Sequence, residues 1–221
     1  MCGRFAITLP HDAMVDLFDA APSNDLPEVP NFNVCPTTDI HVVTAADGAR
    51  RLGAMRWGFI PHWYKKPGDG PLLINARAET VAEKPAFRSA CRERRCLIPM
   101  SGFYEWTKDE AGNRLPWYIT RSDGEPMVMA GVWQVWDRGE AGPLTTVATV
   151  TTAAQGPMRD IHHRMPVRVA QADWPLWLGE AGKGAAVLLN KDDGAGVRMH
   201  RVDTAVNSNR ARGPELIEPV D

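Results

Sequence analysis

The sequence predicts an α+β fold: a single domain over residues 1–221, built on a mainly antiparallel, barrel-like β-sheet flanked by short helices. Three observations predict it. From 96 to 151, apolar and β-branched runs of strand length follow one another. The connections between them carry Gly112-Asn113, Asp123-Gly124 and Gly139, the turn chemistry of antiparallel pairing. Helical spacing is confined to brief stretches near the edges of this region, and no repeat, low-complexity tract or linker divides the chain.

Taken in order, residues 3–8 read as a short strand. Pro10 stands where a first helical turn tolerates it, and Ala13, Met14, Leu17 and Phe18 follow at helical spacing. Pro22, Pro27, Pro30 and Pro36 predict an extended, irregular segment from 21 to 36. Residues 40–45 and 51–57 form a hairpin through Asp47-Gly48. A long loop over 58–71 mixes His62, Trp63 and Tyr64 with Lys65 and Lys66, a composition suited to stacking bases and following a phosphate backbone, as well as to a solvated surface loop. Leu72-Leu73-Ile74 carries a buried-strand signal that ends in Asn75-Ala76-Arg77-Ala78-Glu79-Thr80. A short helix follows near 85–94, where Arg88, Arg92, Arg94 and Arg95 cluster as a solvated or phosphate-facing group. Strands are expected at 96–100, 102–107, 116–120, 127–136 and 144–151, helices near 171–178 and 182–189, and a last strand near 197–202.

Composition removes several classes of function. Net charge is −2, so nothing draws the whole molecule to nucleic acid; any such contact must be a local groove. Of the 25 basic residues 19 are arginine, a bias that suits bidentate contacts to phosphate or carboxylate. The four cysteines, at 2, 35, 91 and 96, have no zinc spacing. With no apolar run of membrane length and no secretory segment, the expectation is a cytoplasmic protein with reduced thiols.

Cys2 is the most suggestive residue. Removal of Met1, which the small side chain of Cys2 permits, leaves a 1,2-aminothiol. Its amine has an ordinary pKa of about 7.7–8 and its thiol one of about 8.5, so both are nucleophilic near neutrality. An aldehyde can condense with the amine, and the thiol can then close a thiazolidine ring. Gly3 lets the backbone approach a ligand, and Arg4 sets a permanent positive charge beside the nucleophile. Equally, a cysteine in second place can be an ordinary small residue near a terminus.

Two further groups could move protons. Glu105 lies in Gly102-Phe103-Tyr104-Glu105-Trp106, where aromatic neighbours would desolvate a carboxylate and raise its pKa. His162 and His163 are adjacent, so in extended backbone only one can enter a given pocket. No phosphate-binding loop, dinucleotide fingerprint or metal motif is present, so no cofactor and no metal are expected.

MCGRFA at the start, FNVCPTT at 32–38, RWGFIPHW at 56–63, INARAET at 74–80, RRCLIPMSGFYEW at 94–106, DIHHRMPV at 160–167 and VNSNRARGPELIEP at 206–219 occur in this order. Together they resemble the SRAP (SOS response-associated peptidase) family over nearly the whole chain. The resemblance implies a protein that captures the ring-opened aldehyde of an abasic site in single-stranded DNA as a thiazolidine, shielding the lesion. It implies Cys2 as nucleophile, Asn75 in a positioning role, Glu105 as acid/base and His162 in proton transfer to the sugar. Arg4, Arg77 and Arg164 become phosphate or DNA contacts, with Trp63 as a stacking residue on a loop that Gly68-Asp69-Gly70 lengthens. Abasic single-stranded DNA is the expected partner, the protein acting as a monomer away from membranes. The alternatives are an N-terminal-nucleophile amidohydrolase or peptidase that processes its own Met1, and a single-strand binder without catalysis.

Overall fold

The computed structural model describes residues 2–23, 25–139 and 142–220. Its elements, in order, are β1 (Phe5–Ile7), α1 (His11–Phe18), β2 (Ala20–Pro22), β3 (Asn31–Val34), β4 (Asp39–Ala46) and β5 (Ala49–Trp57). Next come β6 (Asn75–Arg77), α2 (Arg88–Glu93), β7 (Arg95–Met100), β8 (Gly102–Lys108), β9 (Arg114–Arg121), β10 (Met127–Trp136) and β11 (Leu144–Ala153). The chain closes with β12 (Arg164–Pro166), α3 (Trp174–Leu178) and β13 (Val197–Arg201), interspersed with short 3₁₀ turns. The expected α+β class, with short helices around a mainly antiparallel sheet, is what forms.

Five strands close a ring. β5 pairs β4, β4 pairs β7, β7 pairs β10 and β10 pairs β11, all antiparallel. β11 then returns to β5 in parallel, through Thr146 opposite Arg56 and Val147 opposite Trp57. Leu52, Leu97, Val132 and Val150, all without exposed surface, belong to the core that the ring encloses and shares. Asp47 and Gly48 close the β4–β5 hairpin at φ of 53° and 76°, the doubly left-handed turn that matches strand twist.

The edge of β11 decides where the site forms. Two residues beyond the Val147–Trp57 pair, Thr149 takes Asn75 as its parallel partner, followed by Val150 with Ala76 and Thr151 with Arg77. Thus β5 and β6 are two parts of one interrupted edge, and residues 58–74 are an excursion from it. The expected buried strand at Leu72-Leu73-Ile74 is corrected by this arrangement. Leu72 is 50% exposed, Leu73 makes a single bridge to Phe59, and regular pairing begins only at Asn75. The physical reason is that β11 offers backbone partners along Thr149–Thr151, and these are met by 75–77. Similarly, the segment expected to be irregular over 21–36 contains β3 and shares β2. Both lie at sheet edges, where a proline such as Pro22 forfeits no ladder bond.

A second sheet, ordered β13-β9-β8-β1-β3, carries the N-terminal residues. Phe5, buried, packs its ring 5.2 Å from that of Trp57, which fastens β1 to the ring of strands beside Asn75. Burial of such a side chain contributes about 1.5–3 kcal/mol.

One histidine pair, with His41 buried and His11 half-buried, is expected to make the fold acid-sensitive. His41, 2% exposed on β4, lies with its Nε2 3.1 Å from Nε2 of His11, which also meets the Pro27 carbonyl at 2.9 Å. Burial first, and the charge of His11 second, lower the His41 pKa to about 4. Below pH 6.5 the unfolded chain therefore binds a proton that the folded chain refuses. Stability falls as pH drops from 6.5 towards 4 and levels off below, by up to about 3 kcal/mol. Urea melts of wild type and His41→Gln between pH 7.5 and 4 check this; parallel pH dependence in the two proteins excludes His41 as the cause.

Candidate functional site

The N-terminal strand brings Cys2 to Asn75. Between β1 and β8, Phe5 lies opposite Phe103 and Ala6 opposite Gly102, and the Tyr104 N–H donates to the Arg4 carbonyl at 2.9 Å. Cys2 has no exposed surface, and the Asn75 side-chain N–H donates to its carbonyl at 2.8 Å. Burial pushes the thiol well above its ordinary pKa. The negative charge of Glu105 adds to that effect, while the terminal ammonium and the Arg4 backbone N–H oppose it. Ionisation of the Cys2 thiol is thus disfavoured, within the field of a carboxylate that is itself 3% exposed. Met1 lies outside the described residues.

Two buried polar atoms at this point have no hydrogen-bond partner among the described residues. These are Asn75 Oδ1 and Thr149 Oγ1, on paired positions of β6 and β11. An unsatisfied buried polar group costs about 1–3 kcal/mol, so both atoms call for a partner, whether a water or a bound polar group. Thr149 is the residue that sequence reading missed. Its only signal was a threonine within an apolar strand, which an ordinary strand also carries.

His162 follows a 3₁₀ turn (Gly156–Asp160), its N–H donating to the Met158 carbonyl at 2.9 Å. The backbone bends here, so the two histidines do not point apart as extended geometry would require. Their rings stack at 4.3 Å and 31°. The Arg164 N–H donates to His162 Nδ1 at 2.9 Å, and the Arg164 carbonyl lies 3.1 Å from the same nitrogen. His163 is exposed, and its pKa is lowered chiefly by the charge of His162.

The arginines divide. Arg77 is exposed on β6, two residues from Asn75 on the same strand. Arg4 is engaged within the protein: its Nη1 donates to Asn33 Oδ1 at 2.6 Å and to the Val206 carbonyl at 2.9 Å, and it lies 6.0 Å from the Trp106 ring. Arg164 is 7% exposed, paired through both Nη atoms with Glu79 and donating to the Thr151 carbonyl at 2.6 Å. Its head group is committed to those partners rather than to solvent. Trp63, 43% exposed, lines a separate groove of about 700 Å³ with Arg88, Arg94 and Trp133. None of Cys2, Asn75, Glu105 or His162 lines that groove. In the 88–95 cluster, Arg94 and Arg95 bind backbone carbonyls, Arg95 reaching Trp177 at 2.5 Å.

Among the described residues no group of three His, Cys, Asp or Glu side chains is placed to hold a metal ion, and no helix is long and apolar enough to cross a membrane.

Comparison with known proteins agrees with the motifs. The SRAP family (SOS response associated peptidase) matches residues 1–209. The chain is 35% identical over 224 residues to the abasic site processing protein YoqW of Bacillus subtilis, covering 99% of both. It is 31% identical over 229 residues to the abasic site processing protein YedK of Escherichia coli, covering 100% of both. To HMCES of Mus musculus, also named an abasic site processing protein, it is 28% identical, covering 100% of this chain and 76% of the other. Among solved structures, a Bacteroides thetaiotaomicron protein superimposes with a TM-score of 0.84 at 23% identity, over 99% of this chain and 100% of that one. A phage-related protein of Bordetella bronchiseptica reaches 0.73 at 26% identity, over 91% and 94%. The chain belongs to the SRAP family.

Proposed function

We propose that this protein processes abasic sites in single-stranded DNA by capturing them covalently through Cys2. The observation that carries the reading is the junction of β1, β6 and β8. There a buried thiol lies within the field of a buried carboxylate, its carbonyl is held by Asn75, and polar atoms of Asn75 and Thr149 have no partner among the described residues. The names of the relatives supply the substrate class.

With Met1 removed, the Cys2 amine adds to the open-chain aldehyde of the abasic sugar and water leaves, giving an imine. The thiol then adds across the C=N bond: sulfur joins the carbon, and its proton passes to the nitrogen. Amine, thiol and aldehyde thus become a thiazolidine and one water. The proton must leave sulfur as the C–S bond forms, and Glu105, whose charge acts on Cys2, is the base that takes it. His162 serves the sugar hydroxyl during ring opening. Ring closure is intramolecular, with an effective molarity that reaches about 10⁵ M or more when aligned. Trapping the imine as a thiazolidine suppresses the β-elimination that would break the strand.

The test is incubation with single-stranded DNA carrying one abasic site, followed by denaturing electrophoresis. A heat-stable adduct that needs the lesion is expected, and its absence overturns the reading.

Arg77 supplies the phosphate contact. Arg77→Ala is expected to weaken binding of intact and abasic strands alike, since phosphates carry no sequence information. The slope of log affinity against log salt should flatten by roughly 0.7, the value for one single-strand contact. Titrations at several salt concentrations measure it, and an unchanged slope removes Arg77 from the DNA path. Arg4→Ala is expected to act differently, loosening the 206–211 segment that Arg4 and Asn33 hold.

A further inference from the structure

Glu79 stands two residues past β6, outside the chemistry described above. Its carboxylate is the hub of three strands. It receives both Nη groups of Arg164, the Nη2 arm at 2.9 Å, and that fork first, with the Ala153 backbone on β11 a lesser cause, holds its pKa below the ordinary carboxylate value. Arg164, the first residue of β12, adds a bond from Nη2 to the Thr151 carbonyl at 2.6 Å, and the same carbonyl accepts the Ala78 N–H at 2.8 Å. One side chain therefore ties β6, which carries Asn75 and Arg77, to β11, which carries Thr149, and to β12, which His162 precedes by two residues. Glu79 is the outer member of the pair, its side chain 44% exposed against 8% for the side chain of Arg164.

The consequence is felt at His162. Its Nδ1 lies 2.9 Å from the Arg164 N–H and 3.1 Å from the Arg164 carbonyl. A neutral ring accepts from the N–H and keeps its own proton on Nε2. A protonated ring finds the carbonyl as acceptor for Nδ1–H. The backbone of one residue thus serves both states of the ring, provided that residue is held still. Backbone pairing alone holds it weakly, because β12 is three residues long and Arg164 is its end. The side-chain fork on Glu79 supplies the remaining constraint, with the geometric definition of a bidentate arginine–carboxylate pair.

We infer that Glu79 is a positioning residue: acting through Arg164, it fixes the tautomer and orientation of the His162 ring. The inference rests on the proposed role of His162 in moving protons, but part of its test stands apart from that role.

Histidine nitrogen shifts in ¹⁵N-labelled protein report the tautomer without any DNA. In wild type, Nδ1 of His162 is expected as the unprotonated nitrogen and Nε2 as the protonated one. Glu79→Gln is expected to mix the tautomers. It should also shift the acid limb of the rate–pH profile for adduct formation on an abasic oligonucleotide, and slow the reaction on the order of 10- to 100-fold. Arg164→Lys keeps a cation beside Glu79 but loses the fork, and is expected to give the same pattern; should Glu79→Gln not fold, this variant decides. Unchanged tautomer and unchanged pH profile overturn the inference, even if the melting temperature falls, because a purely structural pair moves only the latter. If wild type forms no adduct, the proposed function fails while the tautomer comparison still decides the role of Glu79.

Discussion

Cys2→Ala is expected to form no heat-stable adduct with abasic single-stranded DNA, the largest effect of any single change in this protein. The variant keeps the α-amine, so the imine can still form but nothing traps it. Borohydride should then capture a reducible Schiff base, and without it strand breakage by β-elimination should appear where wild type leaves the strand whole. Affinity for intact strands should change little, because the phosphate contact assigned to Arg77 is untouched and Cys2→Ala removes only the thiol. Cys2→Ser is expected to resemble the alanine variant, a hydroxyl being a far weaker nucleophile at neutral pH. The requirement for a free amine is checked separately, with protein whose Met1 is shown by mass spectrometry to be retained. Adduct formation by that protein at the wild-type rate would exclude the aminothiol as the reagent.

Glu105→Gln comes second, with an expected slowing of about 10²–10⁴-fold, the usual contribution of a general acid or base. The structure allows this loss to be separated from a general disturbance of the site. Glu105 raises the Cys2 thiol pKa through its charge, second only to burial. Removing the charge should therefore make the thiol slightly easier to ionise while removing the group that takes its proton during ring closure. Alkylation of Cys2 by a small reagent should be unchanged or faster in Glu105→Gln, and thiazolidine formation much slower. A parallel fall in both rates would show that the carboxylate supports the packing of β8 rather than the chemistry.

Much of this molecule was legible in the sequence, for local reasons. The β4–β5 hairpin follows from Asp47-Gly48, since two left-handed residues in succession leave the chain little alternative to a tight reversal. Strands β7 to β11 follow from runs of apolar and β-branched residues whose burial does not depend on which neighbour supplies it. The candidate site was legible as a set of residue types: a cysteine in second place, a carboxylate among rings, a histidine pair and an asparagine after an apolar run.

What the tertiary structure alone decided are the relations set by partners distant in sequence. The parallel return of β11 to β5 turns a sheet into a ring and makes 58–74 an excursion from one strand edge, which is why Leu72 is exposed and Asn75 lies against Cys2. The arginines looked equivalent in sequence. Arg4 is claimed by Asn33 and Val206, the latter 202 residues away, and Arg164 by Glu79, 85 residues away, while Arg77 stays exposed. Thr149 became visible only when its hydroxyl, opposite Asn75, was left without a partner among the described residues. Residue type and local pattern determine what a side chain is able to do; whether it is free to do it depends on long-range contacts, whose partners no local window contains.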